Sequence, residues 1–126
     1  MKHISILEPA SEKLVKGKTR HSQEDFFLVS EKYPIFAVAD GVTLLQFLID
    51  KKEYPNPSPA GDVARIFCEE AVRAVESRYT SFGEPDMCEV FQIANEVVGE
   101  YNRKHGRTKG TVDYWDTDFY AATAAL

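Results

Sequence analysis

Long apolar runs are missing from this chain. None approaches the roughly 18 residues that a membrane-spanning helix needs, and the opening MKHISILEPASEK lacks the apolar centre of a secretory signal. Cysteine is scarce. Cys68 and Cys88 stand alone within helical patterns, offering neither a disulfide framework nor metal-ligand spacing, and they suit thiols of a reducing compartment. Excess positive charge is absent too: 15 Lys and Arg against 20 Asp and Glu leave a net charge of −5, with no cluster dense enough for a nucleic-acid face. Lys13, Lys16, Lys18 and Arg20 do gather, but Leu14, Val15 and Gly17 interrupt them, and most read as solvated. These absences lead to the expectation of a cytoplasmic protein with neither nucleic acid nor membrane as partner.

The 126 residues are enough for one domain with a modest core. Residues 3 to 7, HISIL, alternate in the period of a strand. DFFLVS at 25 to 30 and IFAVA at 35 to 39 predict two more, joined by a short hairpin, the second apolar enough to be buried on both faces. The apolar stretch 44 to 49 fits a short helix or a strand extension, and YPNPSP after it is a loop. Ser58-Pro59 reads as an N-cap with proline at the first helical position. From there Val63, Phe67, Ala71 and Val75, with Ala64, Cys68 and Val72 beside them, predict a helix to about Tyr79. Asp86 and Glu89 have capping-box spacing for a second helix ending at Gly106, with a core stripe that includes Met87, Phe91 and Tyr101. The two helices should form an antiparallel hairpin, packed on one sheet face through Phe67, Val75, Phe91 and Val98. FYAATAAL, the last eight residues, predicts a further strand with no polar terminus after it. The expectation is that residues 1–126 are the N-terminal portion of a larger domain.

Chemistry gathers around one hairpin end. Strand 35–39 runs into Asp40-Gly41, which reads either as a turn or as a carboxylate aimed at a metal, with a glycine that lets the backbone approach the ion. If the two strands pair, Asp25 and Asp40 share that end, with Glu24 and Arg20 close in sequence. Carboxylates so close repel unless a cation sits among them. Oxygen donors without nearby His or Cys favour Mg²⁺ or Mn²⁺, and an arginine there suits phosphate. The plainer reading is loop carboxylates in solvent with Arg20 as their salt-bridge partner. His3, His21 and His105 are isolated, Asp113, Asp116 and Asp118 around Trp115 read as a solvated acidic loop, and Ser22 has no base partner.

RHSQEDFF (20–27), FAVADG (36–41), two long helices and AATAAL (121–126), in that order, resemble the N-terminal half of the metal-dependent serine/threonine protein phosphatases, the type 2C family. The resemblance covers nearly the whole chain. It implies an α+β fold in which antiparallel β-sheets carry packed helical hairpins, here a partial phosphatase 2C-like αββα sandwich, with two Mg²⁺ or Mn²⁺ ions at one end. It implies Asp40 as the aspartate bridging both ions, Gly41 as a ligand through its carbonyl, Glu24 as the acidic residue that reaches a metal through water, Asp25 as its neighbour in the site, and Arg20 as the phosphate-binding residue. The substrate would be a phosphoserine or phosphothreonine protein, attacked by a metal-bridging water. Three departures stand out. Val42 cannot serve as the general acid that a histidine supplies in some members, Ala122 replaces the usual glycine before Thr123, and the family's later metal aspartates are not in this sequence. The expectation is therefore a fragment inactive alone. The alternative is a non-catalytic, phosphatase-like binding module that self-associates or binds a protein partner, with Phe47, Leu48 and Ile49 as contacts.

Overall fold

The computed structural model describes residues 24–42, 57–79, 83, 85–108 and 118–126. The expected strand at 3–7, the stretch 44–49, His3, Arg20, His21, Ser22, Asp113 and Asp116 lie outside them. Three strands form one antiparallel sheet in the order β1 (Asp25–Val29), β2 (Phe36–Val42) and β3 (Ala121–Ala125). Two helices, α1 (Pro59–Arg78) and α2 (Met87–Lys104), fall between β2 and β3 in the chain. The fold is α+β. No helix among the described residues is long and apolar enough to cross a membrane.

The β1–β2 link turns on Ser30. Its amide donates to the Ile35 carbonyl (3.1 Å), and its Oγ accepts from the amides of Lys32 (3.1 Å) and Tyr33 (3.2 Å). The same hydroxyl donates to Glu76 Oε1 (2.6 Å), and Tyr33 stacks on Tyr79 with ring centroids 4.3 Å apart, so the turn is fixed to the end of α1. β2 runs on past Ala39 through Asp40-Gly41 to Val42, so this dipeptide is strand and not turn.

β2 was expected to be buried on both faces and is buried on one. Ala37, Ala39 and Gly41 are covered, whereas Phe36 is 41% and Val38 52% exposed. The period of two explains it: the small residues face α1, which needs the room, and the large ones face away.

α1 starts as its sequence predicts. Ser58 is extended, its Oγ accepts from the Gly61 amide (3.0 Å), and Pro59 takes the first turn. α2 is capped by Asp86, which accepts from the Cys88 amide (2.9 Å), one position short of the capping-box bond. It closes at Gly106, whose φ of 69° is the left-handed conformation glycine tolerates best. The helices are antiparallel: Arg78 at the end of α1 meets Glu89 at the start of α2 (3.4 Å), and Tyr101 near the end of α2 donates to Asp62 at the start of α1 (2.9 Å).

The two helices do not share the sheet face as expected. α1 lies on the sheet and α2 lies on α1. The apolar surface of α1 is wide enough to be split between them. Ala64, Cys68 and Val72 pack with Ala37 and Ala39, while Val63, Phe67, Ala71 and Val75 pack with Val90, Ala94 and Val98. Phe91 falls at the edge of the α2 stripe, 36% exposed, with its ring 5.2 Å from that of Phe67. From α2 the buried Asn102 ties down the approach to β3. Its amide donates to the Tyr120 carbonyl (3.0 Å) and its oxygen accepts from the Tyr120 amide (2.8 Å), in the manner of a paired strand.

Candidate functional site

Register decides what the hairpin end can do. The Gly41 amide donates to the Glu24 carbonyl (3.0 Å) and, at the other end, the Ser30 amide to that of Ile35. Hydrogen-bonded and non-hydrogen-bonded pairs alternate along an antiparallel ladder. Counting inward from either end makes Asp25↔Asp40 a non-hydrogen-bonded pair. In such pairs Cα atoms are about 4.5 Å apart and side chains on the common face are closest. The two aspartates are therefore direct cross-strand neighbours on the exposed face of the sheet. Like charges so placed are destabilising, and an oxygen-binding cation between them would reverse the sign.

β3 extends the row. Thr123 is the Cα partner of Asp40, so Asp25, Asp40 and Thr123 stand side by side across three strands on one face. The Thr123 hydroxyl lies 3.5 Å from the Asp40 carbonyl, a weak contact that leaves it available. Thr123 is a residue that sequence reasoning missed as part of a site. The signal was its being the one polar side chain in AATAA, but only the β2–β3 register shows what it faces.

Glu24 and Gly41 belong to the other face. Glu24 is 6% exposed, and its Oε1 accepts from Ser58 Oγ (2.7 Å). Ser58, wholly buried, thus donates to a carboxylate while accepting from the Gly61 amide. The carboxylate sits at the positive end of the α1 dipole, where negative charge is stabilised. Gly41 is needed there for space. A Cβ on it would collide with the Ala60 carbonyl oxygen, would lie 2.6 Å from the Ala60 carbonyl carbon and would lie 3.0 Å from the Glu24 oxygen. The glycine lets the sheet edge and the first turn of α1 touch.

Of the residues singled out in the sequence, the fold brings Asp25 and Asp40 together. It sets Glu24 behind them on Ser58, it places Gly41 in the ladder beside Asp40, and Arg20 lies outside the described residues. Among the described residues no group of three or more His, Cys, Asp or Glu forms a metal cluster. The donor set fits a hard divalent ion as part of a site: two carboxylates and a hydroxyl in one row, all oxygen, with six or so donors needed in total. The thiols are not part of it. Burial, and secondarily the Glu69 carboxylate, push Cys68 up to about 11, and Cys68 Sγ donates to the Phe26 carbonyl (3.7 Å). No protein-family model, curated protein or solved structure matches the chain.

Proposed function

We propose that this chain carries the N-terminal, metal-binding half of a metal-dependent serine/threonine phosphatase that hydrolyses phosphoserine and phosphothreonine in proteins. The observation that carries the reading is the direct pairing of Asp25 with Asp40 on an exposed sheet face. A bound Mg²⁺ or Mn²⁺ supplies Lewis acidity and a water of lowered pKa. The chain's own residues hold and orient. Asp40 and Asp25 provide the carboxylates, Thr123 offers a hydroxyl beside them, and Gly41 lets the strand end rest on α1 so that Asp40 keeps its place. Glu24 acts from behind through Ser58, holding the start of α1 against the strand that carries Asp25. Arg20, by its position in the resembling motif, binds substrate phosphate.

Two carboxylates leave most of an ion's coordination to water, so binding is weak and turnover by this chain alone is very slow. Titration with Mn²⁺, read as loss of the free-ion electron paramagnetic resonance signal, tests the reading. Saturable binding that disappears in Asp40→Asn and weakens in Asp25→Asn is expected. Binding that survives both substitutions sinks it. Rapid hydrolysis of p-nitrophenyl phosphate by the chain alone would contradict the half-site reading in the opposite direction.

A second reading, a non-catalytic module that self-associates, draws on the exposed Phe36 and Val38 beside the aspartates. Light scattering separates the two, because that reading requires a dimer whose formation Val38→Lys abolishes.

A further inference from the structure

On the helix side of the sheet, α1, α2 and β3 enclose a groove of about 810 Å³. Phe67, Phe91, Val98 and Ala124 give it an apolar lining, and Arg103 and Arg107 line it near Tyr120, where β3 is about to begin. The Arg107 guanidinium lies over the Tyr120 ring, 4.7 Å from its centroid. Along the groove runs β3, which among the described residues is paired on one edge only, with β2. Such an edge presents backbone donors and acceptors ready for another strand.

We propose that the outer edge of β3 and this groove dock an extended segment of a partner protein, paired antiparallel with β3, with large apolar side chains in the groove and a carboxylate at Arg103 and Arg107. Charge gives the first argument. Arg65, Arg73 and Arg78 each meet a carboxylate of the chain. Arg103 and Arg107 meet none among the described residues, although the chain as a whole carries −5. Direction gives the second. The sheet is antiparallel throughout, and a strand added in the same sense brings its C-terminal end to the start of β3, so the acidic group belongs at that end of the partner segment. Volume gives the third and argues against a second copy paired through its own β3. A copy paired through β3 would offer Ala122 and Ala124 at the groove positions, and two methyl groups leave such a space unfilled. Strand addition with pockets for alternate side chains is a known mode of peptide recognition. The site is independent of the aspartate row, which lies on the other face of the sheet.

The test is fluorescence anisotropy with the full chain and a labelled peptide of alternating leucine and threonine that ends in two glutamates. Saturable binding is expected below about 1 mM. It should weaken by roughly tenfold or more with a matched peptide ending in lysines, and likewise with Arg103→Glu, Arg107→Glu, since each guanidinium loses a charge-assisted bond. Hydrogen exchange should show the peptide slowing amides of β3. The lysine-ended peptide needs no variant, so the outcome stands even if the double substitution unfolds the chain. No saturation below that concentration, equal affinity for the two peptides, or β3 amides already protected in a dimer seen by light scattering would each overturn the proposal.

Discussion

Gly41 has no room for a methyl group, and its backbone conformation is ordinary strand. Gly41→Ala must push the start of α1 away from the sheet edge, because the obstacles are main-chain atoms of Ala60 and Glu24. The expected cost is about 1–3 kcal/mol, read as a lowered midpoint in urea unfolding. A midpoint equal to the parent's would show that the contact relaxes freely. Cys68 gives a second residue-scale outcome. Its folded-state value, up to about 11 from 9.0, means that the folded protein keeps the thiol protonated where the unfolded chain has lost the proton. Stability from this group is complete below pH 9 and declines as pH rises toward 11. Below pH 9 a thiol reagent should modify the exposed Cys88 quickly and Cys68 only on unfolding. Rapid native-state labelling of both would contradict the burial. In FAVADG the glycine reads as a turn or as room for backbone to approach an ion, whereas the fold uses it to let β2 touch the first turn of α1. The contact joins residues far apart in sequence, and no local pattern encodes it.

Elements are held by a few polar bonds at their ends. Ser58 links α1 to the strand side through Glu24, and Asn102 links α2 to β3 through both main-chain groups of Tyr120. Ser58→Ala removes the cap and one donor to a buried carboxylate, for an expected loss of about 1–2 kcal/mol. Asn102→Ala leaves the Tyr120 amide and carbonyl without their partner and should cost about 2–3 kcal/mol. It should also speed exchange of the Tyr120 amide far more than that of the α1 amides. Uniform acceleration over both would mean that Asn102 stabilises the whole fold and does not specifically hold the start of β3. The helices themselves were plain in the sequence, with their limits set by Ser58-Pro59, Asp86 and Gly106. Their arrangement was not. A helix with a broad apolar face can cover a sheet with one half and a second helix with the other. Periodicity reports the width of the face and is silent on how neighbours divide it. Asn102 shows the converse, since a polar residue in a helical pattern gives no sign that it will pair with main chain eighteen residues on.

At the scale of the molecule, the hairpin joins sequence to site. A short link after Val29 forces β2 back along β1, which places the start of one strand against the finish of the other, and so Asp25 against Asp40. Their common face follows from the ladder's alternation, and a shift of one residue would have sent Asp40 toward α1. The fold therefore places two carboxylates side by side on one face of the sheet. That has a consequence opposite in sign to that of ordinary substitutions. Without divalent metal, Asp40→Asn should raise the stability of the chain by about 0.2–1 kcal/mol, because it relieves a cross-strand repulsion. With Mn²⁺ at millimolar concentration the order should invert, since an ion that binds only the folded state stabilises it by mass action and the variant gives up that contribution. Thermal unfolding of both proteins, with and without Mn²⁺ at matched ionic strength, reads the crossing. Mg²⁺ should act in the same direction, because both ions take oxygen donors. If Asp40→Asn is less stable than the parent in the absence of metal, the aspartate is held by the fold for structural reasons. The cation-binding argument would then lose its physical basis.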